Sequence, residues 1–156
     1  MPEDYEESEA PLTDTLQAIF AFVFLVIWAG DSFWLKRTTY LSAYVSATIR
    51  TSLLVLLTVL GGYLAWKAHE QIFGTVRGEA ELIDFGVYRC SRHPMYLGIM
   101  IIYLGLTISS TSLISFIFLI IIFLFYNYLA DYEENKLKDF FGEEYQEYMK
   151  KVPRWL

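Results

Sequence analysis

The chain has 156 residues, 55% of them hydrophobic and 18% aromatic, well above an ordinary soluble domain. Twelve basic against eighteen acidic side chains give a net charge of −6, which is not a nucleic-acid-binding profile. The single cysteine, Cys90, excludes an internal disulfide and a multi-cysteine metal site, and no metal is expected.

Taken in chain order, residues 1–13 form an acidic tail. It lacks a basic n-region and does not read as a cleaved leader. Apolar stretches then approach the ~20 residues that cross a bilayer. A first membrane helix is predicted over about Asp14–Trp34. It carries Asp31, and an acid inside an apolar segment is a functional-site candidate by default. Asp31 lies within a turn of Lys36 and Arg37, so an interfacial ion pair is the plainer reading. A second helix is predicted over about Ala47–Trp66, followed by a loop over 67–93. A third starts at Pro94, which suits a helical first turn because its missing N–H costs nothing there. That helix is short for a full crossing and is expected to be shielded by protein. "SSTS" at Ser109–Ser112 allows only a tight turn, so it forms a hairpin with a fourth helix over Leu113–Ala130.

The expected fold is therefore all-α and integral to the membrane, with four transmembrane helices in residues 14–130. In residues 131–156, Leu137, Phe140 or Phe141, Tyr145, Tyr148 and Val152 recur at helical spacing. They predict an amphipathic segment on the membrane surface, interrupted at Gly142. With four crossings, the N-terminal tail, the 67–93 loop and the C-terminal segment share one side. That side holds nine of the twelve basic residues, the other only Lys36, Arg37 and Arg50. The asymmetry predicts cytoplasmic N- and C-termini.

Two clusters stand at that border. The first is "YRCSRHPMYLG", Tyr88–Gly98, with two arginines and a histidine before the proline. Its bland reading is headgroup anchoring by Arg89 and Arg92, with His93 a helix cap or solvated loop residue. Its sharper reading is an anion site, since cationic donors and a helix N-terminus converge there. The second is Asp131, Glu133 and Glu134. The bland reading is a solvated face with Lys138 supporting Glu134 at i,i+4. Acids at a helix C-terminus oppose its dipole, unless the helix continues or a cation binds there. Together the corners suit a ligand with a carboxylate and an ammonium, as an amino-acid moiety has.

"GVYRCSRHPMYLG", an apolar hairpin, "EENKL", "FFGEEYQEY" and "VPRW" occur in that order over Leu82–Leu156. The combination resembles the isoprenylcysteine carboxyl methyltransferase and phospholipid methyltransferase superfamily. The resemblance implies a membrane enzyme using S-adenosylmethionine, with a lipophilic methyl acceptor and membrane lipids as partners. It implies that Tyr88, Arg92, His93, Pro94, Tyr96, Leu97 and Gly98 contact the cofactor or shape its pocket, and that Glu133 and Glu134 hold its amino group. Carboxyl methyltransferase members often carry an arginine about one turn before the paired glutamates; here Leu129 and Ala130 stand there. A prenylcysteine carboxylate should then be a poor substrate unless Arg154 or Arg89 supplies the contact.

A carboxylate nucleophile needs alignment and loss of water rather than a base. An amine would need a proton acceptor, for which Glu133, Glu134 and Tyr145 are candidates. Glu133, Tyr145 and Arg154 are thus the catalytic candidates. Tyr103, Tyr126 and Tyr128 read as packing or interface aromatics rather than a lipid path. Two other classes stay open. A membrane sterol- or steroid-type reductase would need basic residues for the NADPH 2′-phosphate, where only Arg77 and Arg89 are spare. A non-catalytic membrane adaptor would bind no cofactor.

Overall fold

In a computed structural model, residues 13–75 and 82–156 are described. The acidic tail before Thr13 and Arg77 lie outside the described residues. The architecture is all-helical: α1 Thr13–Ala29, α2 Ala47–Thr75, α3 Pro94–Ser110, α4 Leu113–Phe141 and α5 Glu143–Lys151. A π-helical turn, Gly30–Leu35, extends α1, and short 3-10 turns occupy Tyr40–Ala43 and Gly86–Arg89.

Three segments are long and apolar enough to cross a membrane: Thr13–Leu35, Ala47–Gly74 and Leu113–Phe141. Their large apolar side chains face outward, Phe22, Val59 and Leu124 among them, as lipid-facing residues should. The 17-residue α3 is about 25 Å long at 1.5 Å per residue, short of a ~30 Å hydrocarbon core. Protein covers it instead: Pro94, Tyr96, Gly98, Met100, Tyr103, Gly105 and Thr107 are all buried.

Phe24 of α1, Tyr96, Met100 and Tyr103 of α3, and Ile122, Tyr126 and Leu129 of α4 form the core. The Phe24 and Tyr103 rings meet edge-on at 4.6 Å. Tyr103 and Tyr126 are thus packing residues, while Tyr128 faces outward. The α2–α3 contact is built from small residues. A Cβ on Gly98 would lie 2.5 Å from the Gly61 carbonyl and 2.8 Å from the Ala65 nitrogen. Backbones approach this closely only where no side chain intervenes.

Two predicted helix ends were placed too early. Helix α2 continues from Trp66 to Thr75, so residues 67–75 are helix rather than loop. "KAHEQIF" contains no breaker, and Lys67 pairs with Glu70 at 2.6 Å. Helix α4 continues from Ala130 to Phe141 and stops at Gly142, whose φ of 57° is costly for other residues. Hydropathy reports where the bilayer ends, and a helix that leaves it with good propensity simply goes on. The acids at 131–134 are therefore mid-helix, which removes the dipole conflict. Lys138 donates to Asn135 at 3.2 Å and leaves Glu134 alone.

The Asp31 ion pair does not form. Its buried carboxylate accepts from the Arg37 and Thr38 backbone N–H groups at 3.0 and 3.2 Å, from the Thr38 hydroxyl, and from Ser112 Oγ at 2.7 Å. It ties the end of α1 to the α3–α4 turn. The apolar stripe of the C-terminal segment also meets protein: Tyr145, Tyr148 and Val152 pack with Leu82, Leu137, Phe141 and Met149.

Candidate active site

Where α3 begins and α4 passes its last third, six ionisable side chains meet. Pro94 at the first position of α3 fixes the helix start. The two residues before it, Arg92 and His93, then lie against α4. The C-terminal segment after α5 is fastened beside them: Arg92 N donates to the Pro153 carbonyl at 3.0 Å and Ser91 Oγ to the Arg154 carbonyl at 2.7 Å. Ser91 Oγ also accepts from His93 N at 3.2 Å. Tyr148 OH donates to the Tyr88 carbonyl at 2.7 Å, holding α5 to the same loop.

Glu134 is the hub. It is 1% exposed and surrounded by donors. Arg154 grips it with Nε to Oε1 and Nη2 to Oε2, both at 2.9 Å. Arg92 Nη1 donates to Oε2 and His93 Nε2 faces Oε1, each at 3.2 Å. Arg154 extends along α4, with Nη2 to Asp131 at 2.6 Å and Nη1 to Asn127 at 3.4 Å. Asn127 also accepts from Trp155 Nε1 at 3.1 Å.

Glu133, one residue earlier on α4, points about 100° away. Its Oε2 lies 3.3 Å from His93 Nδ1, and it accepts from the Tyr96 hydroxyl. Its side chain keeps 21% exposure against 1% for Glu134, so Glu133 has room for a further partner and Glu134 has none. The His93 ring lies parallel to Tyr96, with centroids 5.8 Å apart.

Both ring nitrogens of His93 face carboxylates, and only the imidazolium can donate from both. Burial opposes that charge, but hydrogen bonds and charges from Glu133 and Glu134 outweigh it, so the His93 pKa is raised. Three cations, Arg92, His93 and Arg154, then balance Asp131, Glu133 and Glu134. The predicted anion-seeking and cation-seeking corners thus touch and neutralise each other. One buried donor in the cluster is left over: Arg92 Nε has no hydrogen-bond partner among the described residues.

Not every expected residue joins the cluster. Arg92, His93, Tyr96, Glu133, Glu134 and Arg154 converge. Gly98 faces Gly61 and Ala65 of α2, and Leu97 packs against the core. Pro94 sets the helix start, and Tyr88 contributes its carbonyl. Tyr145 is buried beneath the cluster; burial first, then the Glu134 charge, pushes its phenol well above the ordinary value. Burial likewise pushes Tyr148 up to about 12. Ser91, Asn127 and Trp155 are additions that motif reading passed over. A serine two residues before the buried histidine amide was the available signal for Ser91.

The phospholipid methyltransferase family model matches residues 49–144, more than half the chain. The chain belongs to this family. Among curated proteins similar to it is protein-S-isoprenylcysteine O-methyltransferase B of Arabidopsis thaliana, 39% identical over 47% of this chain and 38% of that protein. The protein-S-isoprenylcysteine O-methyltransferase of Schizosaccharomyces pombe is 30% identical over 76% of this chain and 54% of its own length. The Saccharomyces cerevisiae protein of that name is 32% identical over 78% and 55%. The chain thus spans about half or less of the length of these relatives. No solved structure matches significantly.

Proposed function

We propose that this member of the phospholipid methyltransferase family transfers a methyl group from S-adenosylmethionine to a membrane-embedded prenylated acceptor, with a cysteine carboxylate as nucleophile. The observation that carries the reading is the charge-balanced cluster of Arg92, His93, Arg154, Asp131, Glu133 and Glu134, with one buried donor, Arg92 Nε, unpaired among the described residues. A zwitterionic aminoacyl group fits such a cluster without adding net charge. Arg92 Nε would take its carboxylate and Glu133 its ammonium. Glu134 positions Arg92, His93 and Arg154 from below. The relatives named as protein-S-isoprenylcysteine O-methyltransferases favour a carboxylate oxygen as acceptor.

Bound S-adenosylmethionine supplies an electrophilic methyl group on a sulfonium. The protein aligns the nucleophile with it and excludes water, because opposite charges disappear as the bond forms. No proton moves when the nucleophile is a carboxylate. Tyr145, whose phenol stays protonated, is a packing group rather than a base. Arg154 substitutes for the arginine missing at Leu129 and Ala130: its guanidinium lies along the same stretch of α4, on Asp131 and Asn127. Of its five N–H groups, four are engaged with Glu134, Asp131 and Asn127, leaving one on Nη1 for an acceptor carboxylate. The cytoplasmic placement of this end of the bundle follows the basic-residue asymmetry.

Calorimetry of the purified protein with S-adenosylhomocysteine and, separately, NADPH tests the reading. Saturable binding of S-adenosylhomocysteine alone is expected. Binding of NADPH alone would transfer the site to the reductase class.

A further inference from the structure

At the other end of α3, about 25 Å from the Glu134 cluster by helical rise, the chain builds a second polar pocket. Helix α1 loosens into the π-helical turn Gly30–Leu35, a rare geometry frequent at functional sites. The chain then reverses through Lys36, at φ 49°. A cavity of about 290 Å³ opens there, lined by Trp28, Ser32, Phe33, Lys36, Arg50 and Ser109 among others.

Arg50 is held across its mouth. Its Nη1 donates to the Ser109 carbonyl at 2.6 Å and its Nε to the Val45 carbonyl at 3.2 Å, while Nη2 has no hydrogen bond among the described residues. Lys36 makes no side-chain hydrogen bond there either. Among the described residues, neither cation lies within ion-pair distance of a carboxylate. Asp31 is the nearby acid, and its oxygens are taken by Thr38, Ser112 and backbone N–H groups. The Ser32 hydroxyl is buried without a hydrogen-bond partner among the described residues. Two unneutralised cations and an unpartnered hydroxyl therefore share one cavity, an arrangement that favours an anion with several acceptor oxygens.

We propose that this pocket binds a phosphate group, carried by a phospholipid headgroup or free in solution. The surroundings favour the headgroup. Trp28 and Phe33, whose rings meet edge-on at 5.6 Å, form an apolar wall. Trp34, Tyr40 and Tyr44 are exposed nearby, as aromatics are at a membrane border. The pocket lies at the end of the bundle away from the methyl-transfer cluster, so it takes a structural or regulatory lipid rather than the methyl acceptor.

Full-length protein in detergent is titrated calorimetrically with dihexanoylphosphatidic acid, with inorganic phosphate, and with dihexanoylglycerol, which has no phosphate. Saturable binding of phosphatidic acid is expected, weakened about tenfold by Arg50→Gln, the loss of one charged hydrogen bond, and severalfold by Lys36→Gln. Lys36→Gln removes no described side-chain bond, so it keeps the test valid if Arg50→Gln unfolds. Lys67→Gln on α2 should bind like the parent. Binding of inorganic phosphate with the same dependence on Lys36 and Arg50 supports the proposal as a free-phosphate site; binding of the lipid alone assigns the headgroup. No binding of either phosphate, binding indifferent to Lys36→Gln, or equal binding of dihexanoylglycerol overturns it.

Discussion

Replacing Glu134 with glutamine is the sharpest perturbation of the cluster. The carboxylate is 1% exposed and faces Arg92, His93 and Arg154. Glutamine keeps the volume but removes the charge, and its amide nitrogen presents hydrogens to a cation. Breaking a buried ion pair by removing one partner typically costs ~3–5 kcal/mol, because the opposite charge is stranded. Here three cationic groups lose their hub, while Asp131 and Glu133 still hold Arg154 and His93. A loss near ~3 kcal/mol is therefore expected, or about 6–12 °C in Tm for a chain this size. Glu133→Gln, at 21% side-chain exposure, should cost under about 1 kcal/mol yet weaken S-adenosylhomocysteine more per folded molecule. A charged hydrogen bond of ~1.5–3 kcal/mol is about 10- to 100-fold in affinity. Thermal unfolding in detergent with parallel calorimetry measures both quantities. The reasoning fails if Glu134→Gln melts with Glu133→Gln, or if Glu133→Gln binds like the parent.

Gly98→Ala should destabilise by ~1–3 kcal/mol or more through overpacking, since its Cβ would lie 2.5 Å from the Gly61 carbonyl; Gly62→Ala, with nothing within 4 Å, should be silent in the same unfolding assay. Because the His93 pKa is raised in the folded protein, its contribution is complete below its unfolded value and lost as pH rises through the folded one. Unfolding from pH 6 to 9 should thus show a decline that His93→Gln flattens. Asp31→Ala strands the Arg37 and Thr38 N–H groups and should cost ~1–3 kcal/mol per unsatisfied group, with S-adenosylhomocysteine affinity per folded molecule unchanged. Arg154→Ala should impair acceptor methylation more than cofactor binding, which initial rates set against calorimetry will show.

Three of the four predicted crossings, in α1, α2 and α4, were legible because hydropathy and length mark membrane-spanning helices directly; α3 is too short to be counted with them. The hairpin was equally plain: Ser112 caps α4 by accepting from Ser115 N, and four small polar residues leave space for nothing longer. The ends of α2 and α4 were not, since a helix outside the bilayer carries no hydropathic signature. Within the site, spacing placed Arg92, His93, Glu133 and Glu134 on facing elements. It did not show that they pair with each other, because that contact joins residues about 40 positions apart. Nor did the motif show that the Gly98 backbone packs closely against Gly61 and Ala65 of α2. Asp31 was read from its sequence neighbours Lys36 and Arg37, but the Lys36 left-handed turn directs backbone N–H groups to it instead.

Methyl transfer to a prenylated carboxylate can be measured directly in one assay. Purified protein in lipid nanodiscs is given S-adenosylmethionine radiolabelled on its methyl group, together with N-acetyl-S-farnesylcysteine. Label is expected in a base-labile ester, reduced in Glu133→Gln at subsaturating S-adenosylmethionine and reduced in Arg154→Ala. Absence of ester from parent protein that binds S-adenosylhomocysteine, or ester formation indifferent to both substitutions, would contradict the proposed methyl transfer.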